Sequence, residues 1–232
     1  MRQALRGALG TLDHRSPGRP HVSLVLIATE PDGTPVTLIS GLALHTRNLT
    51  ADPRASLLLD ATAGLDDPMT GARLTLTGHA APSESGTARA RFLARHPAAR
   101  AYAALPDFRT FAFHIETAHY IGGFGRIVDL SPAALATDIA DAGGLVGAES
   151  GLVAEINAEI AKAIGRYASV VTGVAGGDWK VSGLDPEGAD LLHRSNAIRV
   201  DFPARVLTAA DAKRILGTLL AKGASGIPAG GA

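Results

Sequence analysis

The chain has 232 residues, 46% of them hydrophobic, enough to bury a sizeable core in one large domain or two smaller ones and to exclude disorder throughout. Its 22 Lys and Arg balance 22 Asp and Glu, so electrostatics gives no case for a nucleic-acid or anionic-membrane partner. Cysteine is absent, which removes disulfides, thiolate metal sites and a cysteine nucleophile, and leaves any redox chemistry to a cofactor.

No run reaches the roughly 18 apolar residues a membrane span needs. The first residues, Met1 to Arg6, contain no continuous apolar stretch, and the expected location is the cytoplasm.

In chain order, Ala4, Leu5, Ala8, Leu9 and Leu12 predict a helix over residues 3–12, broken by Ser16-Pro17-Gly18. Val22 to Thr29 and Val36 to Leu44 read as antiparallel strands joined by the turn residues Glu30-Pro31-Asp32-Gly33. His45 to Arg54 fits a short helix closed by Pro53, followed by a strand from Ala55 to Asp60. Arg73 to Ala80 alternates as a half-exposed strand. Ser83 to His96 reads as a helix stopped by Pro97, with short helical turns to Leu105. Thr110 to Glu116 begins the last strand of this part, which runs into the glycine-rich bend Gly122-Gly123-Phe124-Gly125-Arg126. About six strands with two or three helices in this order describe a closed or partly closed β-barrel better than a βαβ pattern.

Leu130 to Ser150 has little periodicity and reads as a linker. Leu152, Ile156, Ile160 and Ile164 are four apart and predict one amphipathic helix over 151–167. Strands are expected at Ser169 to Val174, Trp179 to Leu184, Ala189 to His193 and Ala197 to Phe202. Thr208 reads as the N-cap of a final helix to Lys222, with a disordered tail after it.

Ser40, His45, Thr46, Arg47 and Asn48 cluster where a strand feeds a short helix. Exposed N–H groups at a helix start, beside a hydroxyl and cations, suit a phosphate monoester; the same residues also serve as a plain helix cap with a solvated Arg. The segment around Gly123 and Arg126 lets a backbone approach a flat ring, and is equally a barrel corner with a surface Arg. The eight histidines form no HxH, HxxxH or HExxH set, so no built metal site is expected, although an axial haem ligand would need only one. His114 and His119 are five apart, a spacing that sends side chains of a regular strand to opposite faces. There is no GxSxG elbow and no paired carboxylates beyond Asp66-Asp67, so hydrolase chemistry has no support and catalytic residues stay unassigned.

Taken in order, these segments resemble the pyridoxamine 5′-phosphate oxidase-like FMN-binding split barrel, and more closely the HugZ-like haem-utilisation family. The marks are Leu42 to Leu49, Asp52 to Leu59 and Tyr120 to Arg126, and, in the C-terminal part, Trp179 to Leu191 and Val200 to Pro203. The fold class implied is mainly β plus α+β: a split-barrel domain over 1–135, a small α+β domain over 148–223 and a flexible tail over 224–232. The resemblance implies a homodimer with cofactor sites at the subunit interface. It places the FMN phosphate at Ser40, His45, Thr46, Arg47 and Asn48, backbone groups of Val22 and Ser23 along the isoalloxazine ring, and Gly123 and Arg126 where a partner subunit approaches that ring or a haem. The family's His-Met-Asn at a helix start is Glu155-Ile156-Asn157 here, and no His follows His193, so the family's C-terminal iron ligand is missing. The Lys and the C-terminal Arg/His pattern of vitamin B6 oxidases are missing too. Three functions follow from the resemblance: an FMN-dependent oxidoreductase acting on a small redox substrate, a haem-binding or haem-degrading protein, and a non-catalytic flavin scaffold.

Overall fold

Residues 6–12 are a strand, where the spacing of apolar residues predicts a helix. In β1 (Arg6–Leu12) burial alternates, with Leu9 and Thr11 inside. Gly7 and Gly10 supply the physical reason, since two glycines in one turn and a half weaken a helix by roughly 2 kcal/mol. The computed structural model describes residues 1–123, 125–173 and 177–223, and the chain divides into two units, Met1–Ala136 and Thr137–Ala232.

In the first unit β1 is followed by β2 (Pro20–Leu26), β3 (Ala28–Thr29), β4 (Pro35–Ser40), α1 (Leu44–Ala51), β5 (Arg54–Asp60), β6 (Ala72–Pro82), α2 (Gly86–Arg95), α3 (Arg100–Ala103), β7 (Phe108–Gly122), β8 (Ile127–Leu130) and α4 (Pro132–Leu135). The antiparallel sheet runs β2-β1-β5-β6-β7-β4-β3, with β8 paired to β7. Its two ends, β2 and β3, are consecutive in the chain and separated only by Ile27, so the sheet curls back on itself. At that bend the ladder is interrupted, and α2 repairs it. Arg91 Nε donates to the Thr29 carbonyl at 2.5 Å, and His96 Nε2 lies 2.9 Å from the Ile27 carbonyl.

The barrel interior is filled by Leu9, Val25, Ile27, Ile39, Leu57, Leu76, Phe111 and Phe113. β8, which the sequence reading did not expect, extends the β7 hairpin beyond the glycine-rich bend, and the expected linker contains α4 and the start of the next helix. The strand expected to reach Leu44 ends at Ser40, because Leu44 already opens α1.

β7 carries a bulge that decides which way its side chains face. Thr77 pairs with Thr117 and Gly78 with Ile115, so Glu116 is an extra residue without a cross-strand partner. Gly78 takes φ 159°, and a Cβ there would lie 2.0 Å from the His114 carbonyl oxygen. The extra residue shifts the alternation by one step, and His114 and His119, five apart, both face outward. The regular-strand expectation of opposite faces is thereby corrected.

The second unit comprises α5 (Gly143–Glu159), α6 (Ala161–Thr172), β9 (Lys180–Asp185), β10 (Gly188–His193), β11 (Asn196–Asp201) and α7 (Ala209–Gly223). The single predicted helix is two, broken at Ile160, yet Leu152, Ile156 and Ile164 are buried and Ile160 packs beside them. The strand expected from Ser169 is the last turn of α6, closed by Gly173 in the left-handed region at φ 68°; tertiary packing of Ala168 and Ile164 outweighs the β-branched run Val170-Val171-Thr172. The end of that predicted strand at Val174, like the predicted tail 224–232, lies outside the described residues. Thr208 does cap α7, accepting from the Asp211 amide at 3.2 Å.

Sheet β11-β10-β9 ends at β9, and α5 covers this edge. The Asn157 amide donates to the Val181 carbonyl and accepts from the Val181 N–H, at 2.9 and 2.8 Å, and Glu149 accepts from the Leu184 N–H at 2.8 Å. Arg199, with its side chain 10% exposed, bridges Asp185 and Asp190 at 2.7 and 3.0 Å. Burial alone would lower its pKa, but the two carboxylates outweigh burial and hold the guanidinium charged above its ordinary range. Among the described residues no helix is long and apolar enough to cross a membrane.

Candidate functional site

The structure divides the predicted site residues into two groups. The first surrounds α1, which follows β4 and packs on β1 and β2. Asn48, fully buried, donates to Thr11 Oγ1 at 3.0 Å and accepts from the His14 N–H at 3.0 Å. It ties the helix to the barrel wall. Ser40 donates to Asp107 at 2.5 Å and accepts from the Leu42 N–H at 3.1 Å. Both side chains are hydrogen-bonded within the protein.

His45 Nε2 and Thr46 Oγ1 are buried and make no hydrogen bond. Burial first, and the neighbouring His21 second, push the His45 imidazole below its ordinary pKa, so it is uncharged at neutral pH. Arg47 is exposed, and Ala43 gives α1 no side-chain cap. A phosphate at this helix start would thus be met by the Thr46 hydroxyl, the Arg47 cation and free backbone N–H groups. Ser23 faces the same side and lies 3.1 Å from His21 Nε2. His21 went unassigned in the sequence reading, because only the pairing register shows it next to α1.

The second group lies on the outer face of the barrel sheet. Pairing partners line up in one continuous row, Leu24–Ala8–Leu58–Thr75–His119–Asp129, across six strands. Five steps of about 4.8 Å make it roughly 24 Å wide. Val22, Leu24, Leu26 and Leu58 on this face are 66, 73, 38 and 38% exposed, and Ile127 is exposed as well. Val22 and Ser23 therefore point to opposite sides of β2, and only backbone groups could place both against one ligand.

At the end of the row His119 Nδ1 lies 2.7 Å from the Asp129 carboxylate, and both side chains are solvent-exposed. A carboxylate on one ring nitrogen fixes the tautomer and aims the other nitrogen outward, as in metal-ligating histidines. The β7–β8 turn beside this pair is closed by Gly122 N–H to Arg126 O at 2.8 Å. Gly123 takes φ 103°, and a Cβ there would lie 2.7 Å from the Thr70 carbonyl oxygen. Arg126 is exposed. Val22, Gly123 and Arg126 thus border the outer face, while Ser40 sits opposite Phe108 at the far end of the 15-residue β7. Within one chain the two groups do not meet.

His114 stacks on His79, ring centres 4.8 Å apart, and His193 belongs to the second unit. Among the described residues no three His, Asp or Glu side chains could share a metal ion.

This barrel answers to a described family, since residues 1–134 match the family "CREG, beta-barrel". The chain belongs to the CREG β-barrel family. Its members' split-barrel architecture is the fold found here. A protein of unknown function from Agrobacterium tumefaciens is 35% identical, with a TM-score of 0.79 covering 95% of this chain and 90% of that one. The structure described as a heme binding protein from Mycobacterium smegmatis is 27% identical, with a TM-score of 0.55 covering 97% and 94%. The Arabidopsis thaliana protein named "Non-canonical heme oxygenase HOZ, chloroplastic" is 33% identical over 120 residues, half of this chain and 36% of that protein. This CREG-family chain therefore spans about a third of its plant relative's length.

Proposed function

We propose that this CREG-family barrel binds haem on its outer face. The carrying observation is the His119–Asp129 pair at the end of an exposed apolar row. His119, its Nδ1 held by Asp129, would bind the iron through Nε2, Leu58 two strands away would meet the porphyrin's hydrocarbon edge, and Arg126 would meet a propionate. Bound haem would supply the redox and oxygen chemistry; the protein's part is to ligate, orient and shield it. Support comes from two relatives whose names describe haem binding and haem oxygenation. Haemin titration tests the reading: wild type gives a saturable Soret band, His119→Ala loses it, and Asp129→Asn weakens it about tenfold, within the range for such supporting groups. An undiminished Soret band in His119→Ala would remove the assignment.

The same exposed strip supports a homodimer, since contiguous apolar surface of this kind marks association sites.

A second reading, FMN at α1, is favoured by the unsatisfied Thr46 hydroxyl and the uncapped helix start. It would make the protein a flavin oxidoreductase with a small redox substrate, or a flavin-holding scaffold. Reconstitution with FMN separates it from the first reading: flavin retention lost in Arg47→Ala and kept in His119→Ala supports FMN at α1.

A further inference from the structure

The second unit contains a cleft of about 700 Å³ between α6 and the residues leading into β9, within the size range of small-molecule sites. Lys162 and Arg166, one helical turn apart on α6, and Lys180 at the start of β9 bring three cations to it, and among the described residues Asp178 is its one carboxylate. Among the described residues none of the three cations has an ion-pair partner. Two other polar liners are already spent, Asn157 on Val181 and Ser169 on the Gly165 carbonyl.

An independent observation concerns the cleft wall. Trp179 lines the cleft, is 2% exposed, and its indole N–H has no partner. Against it lies His193, ring centres 5.5 Å apart, whose Nδ1 is also buried and unpartnered. A buried donor left unmet is unfavourable, so an unmet indole N–H beside a cationic cleft is a cost that a ligand acceptor would remove. The cations select for negative charge, and the exposed Val170 and Ala161 beside the buried Trp179 select for an apolar body.

We propose that this cleft binds a small organic anion with an apolar body, an acceptor atom of which takes the Trp179 N–H. Neither haem nor flavin in the barrel is needed for it. Trp179 is the single tryptophan of the chain, so the site carries its own reporter. The probe is 8-anilinonaphthalene-1-sulfonate, titrated into the full chain and followed by energy transfer from Trp179. Expected is a saturable one-site quench whose affinity falls about tenfold or more in Lys162→Ala/Arg166→Ala, with far-UV circular dichroism unchanged. In Trp179→Phe, read by the probe's own emission, affinity falls several-fold because the ring stays and the donor goes. The Leu24→Asp variant controls for probe on the barrel face and leaves the Trp179 signal intact. Absent or unsaturable transfer from Trp179, or equal affinity in wild type and the double variant, overturns the proposal.

Discussion

The two sheets of this molecule treat their faces differently. In the C-terminal unit β9 and β10 are buried along almost their whole length, their polar residues included: Asp185 and Asp190 share the Arg199 guanidinium, and the β9 edge is satisfied by Asn157 and Glu149. In the barrel one face packs inward while the other leaves Val22, Leu24 and Leu58 in solvent. An antiparallel sheet can stand with one wet face, but that face is normally polar. Saturated polar groups mark architecture in this protein, and the uncovered apolar face beside the His119–Asp129 pair is the surface on which the haem proposal rests.

If the contrast is right, the largest loss of stability comes from the saturated side. Arg199→Met removes the cation that two buried carboxylates share and should cost about 3–5 kcal/mol. The loss should appear in the Trp179 fluorescence transition, which reports the C-terminal unit, and not in haemin uptake; a Soret band that vanished as well would show the barrel depends on that unit. Next, Asn48→Ala strands the His14 N–H and removes one partner of the buried Thr11 hydroxyl, and should cost about 1–3 kcal/mol, read as a lower denaturation midpoint with Trp179 emission unchanged at low denaturant. Leu24→Asp, on the uncovered face, should change stability by no more than about 0.5 kcal/mol yet shift the mass measured by light scattering from dimer to monomer. A dimer that persists would move the association surface elsewhere.

The smallest effect is that of pH. Burial holds His96 below its ordinary pKa despite the Ile27 carbonyl, as burial and His21 do for His45. The unfolded chain therefore takes up protons first: stability is full above the unfolded histidine value near 6.5 and declines as pH falls below it. Urea midpoints taken between about pH 8 and pH 5 should fall on the acid side, and less so in His45→Gln. A flat profile would mean that both rings protonate without cost.

Much of the fold was legible because apolar alternation and turn residues coincide in β2, β4, β5 and β6, and because Leu152, Ile156 and Ile164 mark a core face whether or not the helix is broken at Ile160. β1 misled because Ala4, Leu5, Ala8, Leu9 and Leu12 keep a helical spacing, whereas the strand's buried face is Gly7, Leu9 and Thr11 and only the partners that bury Leu9 reveal it. The candidate site was legible in part. Gly123 and Arg126 sit beside the outer face and Thr46 and Arg47 at a helix start, but that Asn48 and Ser40 are spent on Thr11, His14 and Asp107 depends on contacts 34 to 67 residues away in the chain. The pairing of His119 with Asp129 needed the unexpected β8.

The unpaired Glu116 works as a half-period phase step in β7. Upstream of it inward and outward are assigned with one parity, downstream with the other, so one residue decides which side chains of the downstream half face the barrel core and which its outer surface. Deleting it would force a choice: either Ala118 and Tyr120 turn to solvent and His119 is driven into the core, or the strand slides one register against β6 and the ladder beyond Gly78 is rewritten. Length in this hairpin is therefore under tighter control than residue type, and a family member that lost the extra residue would have to restore it within a few positions to keep a histidine on the open face.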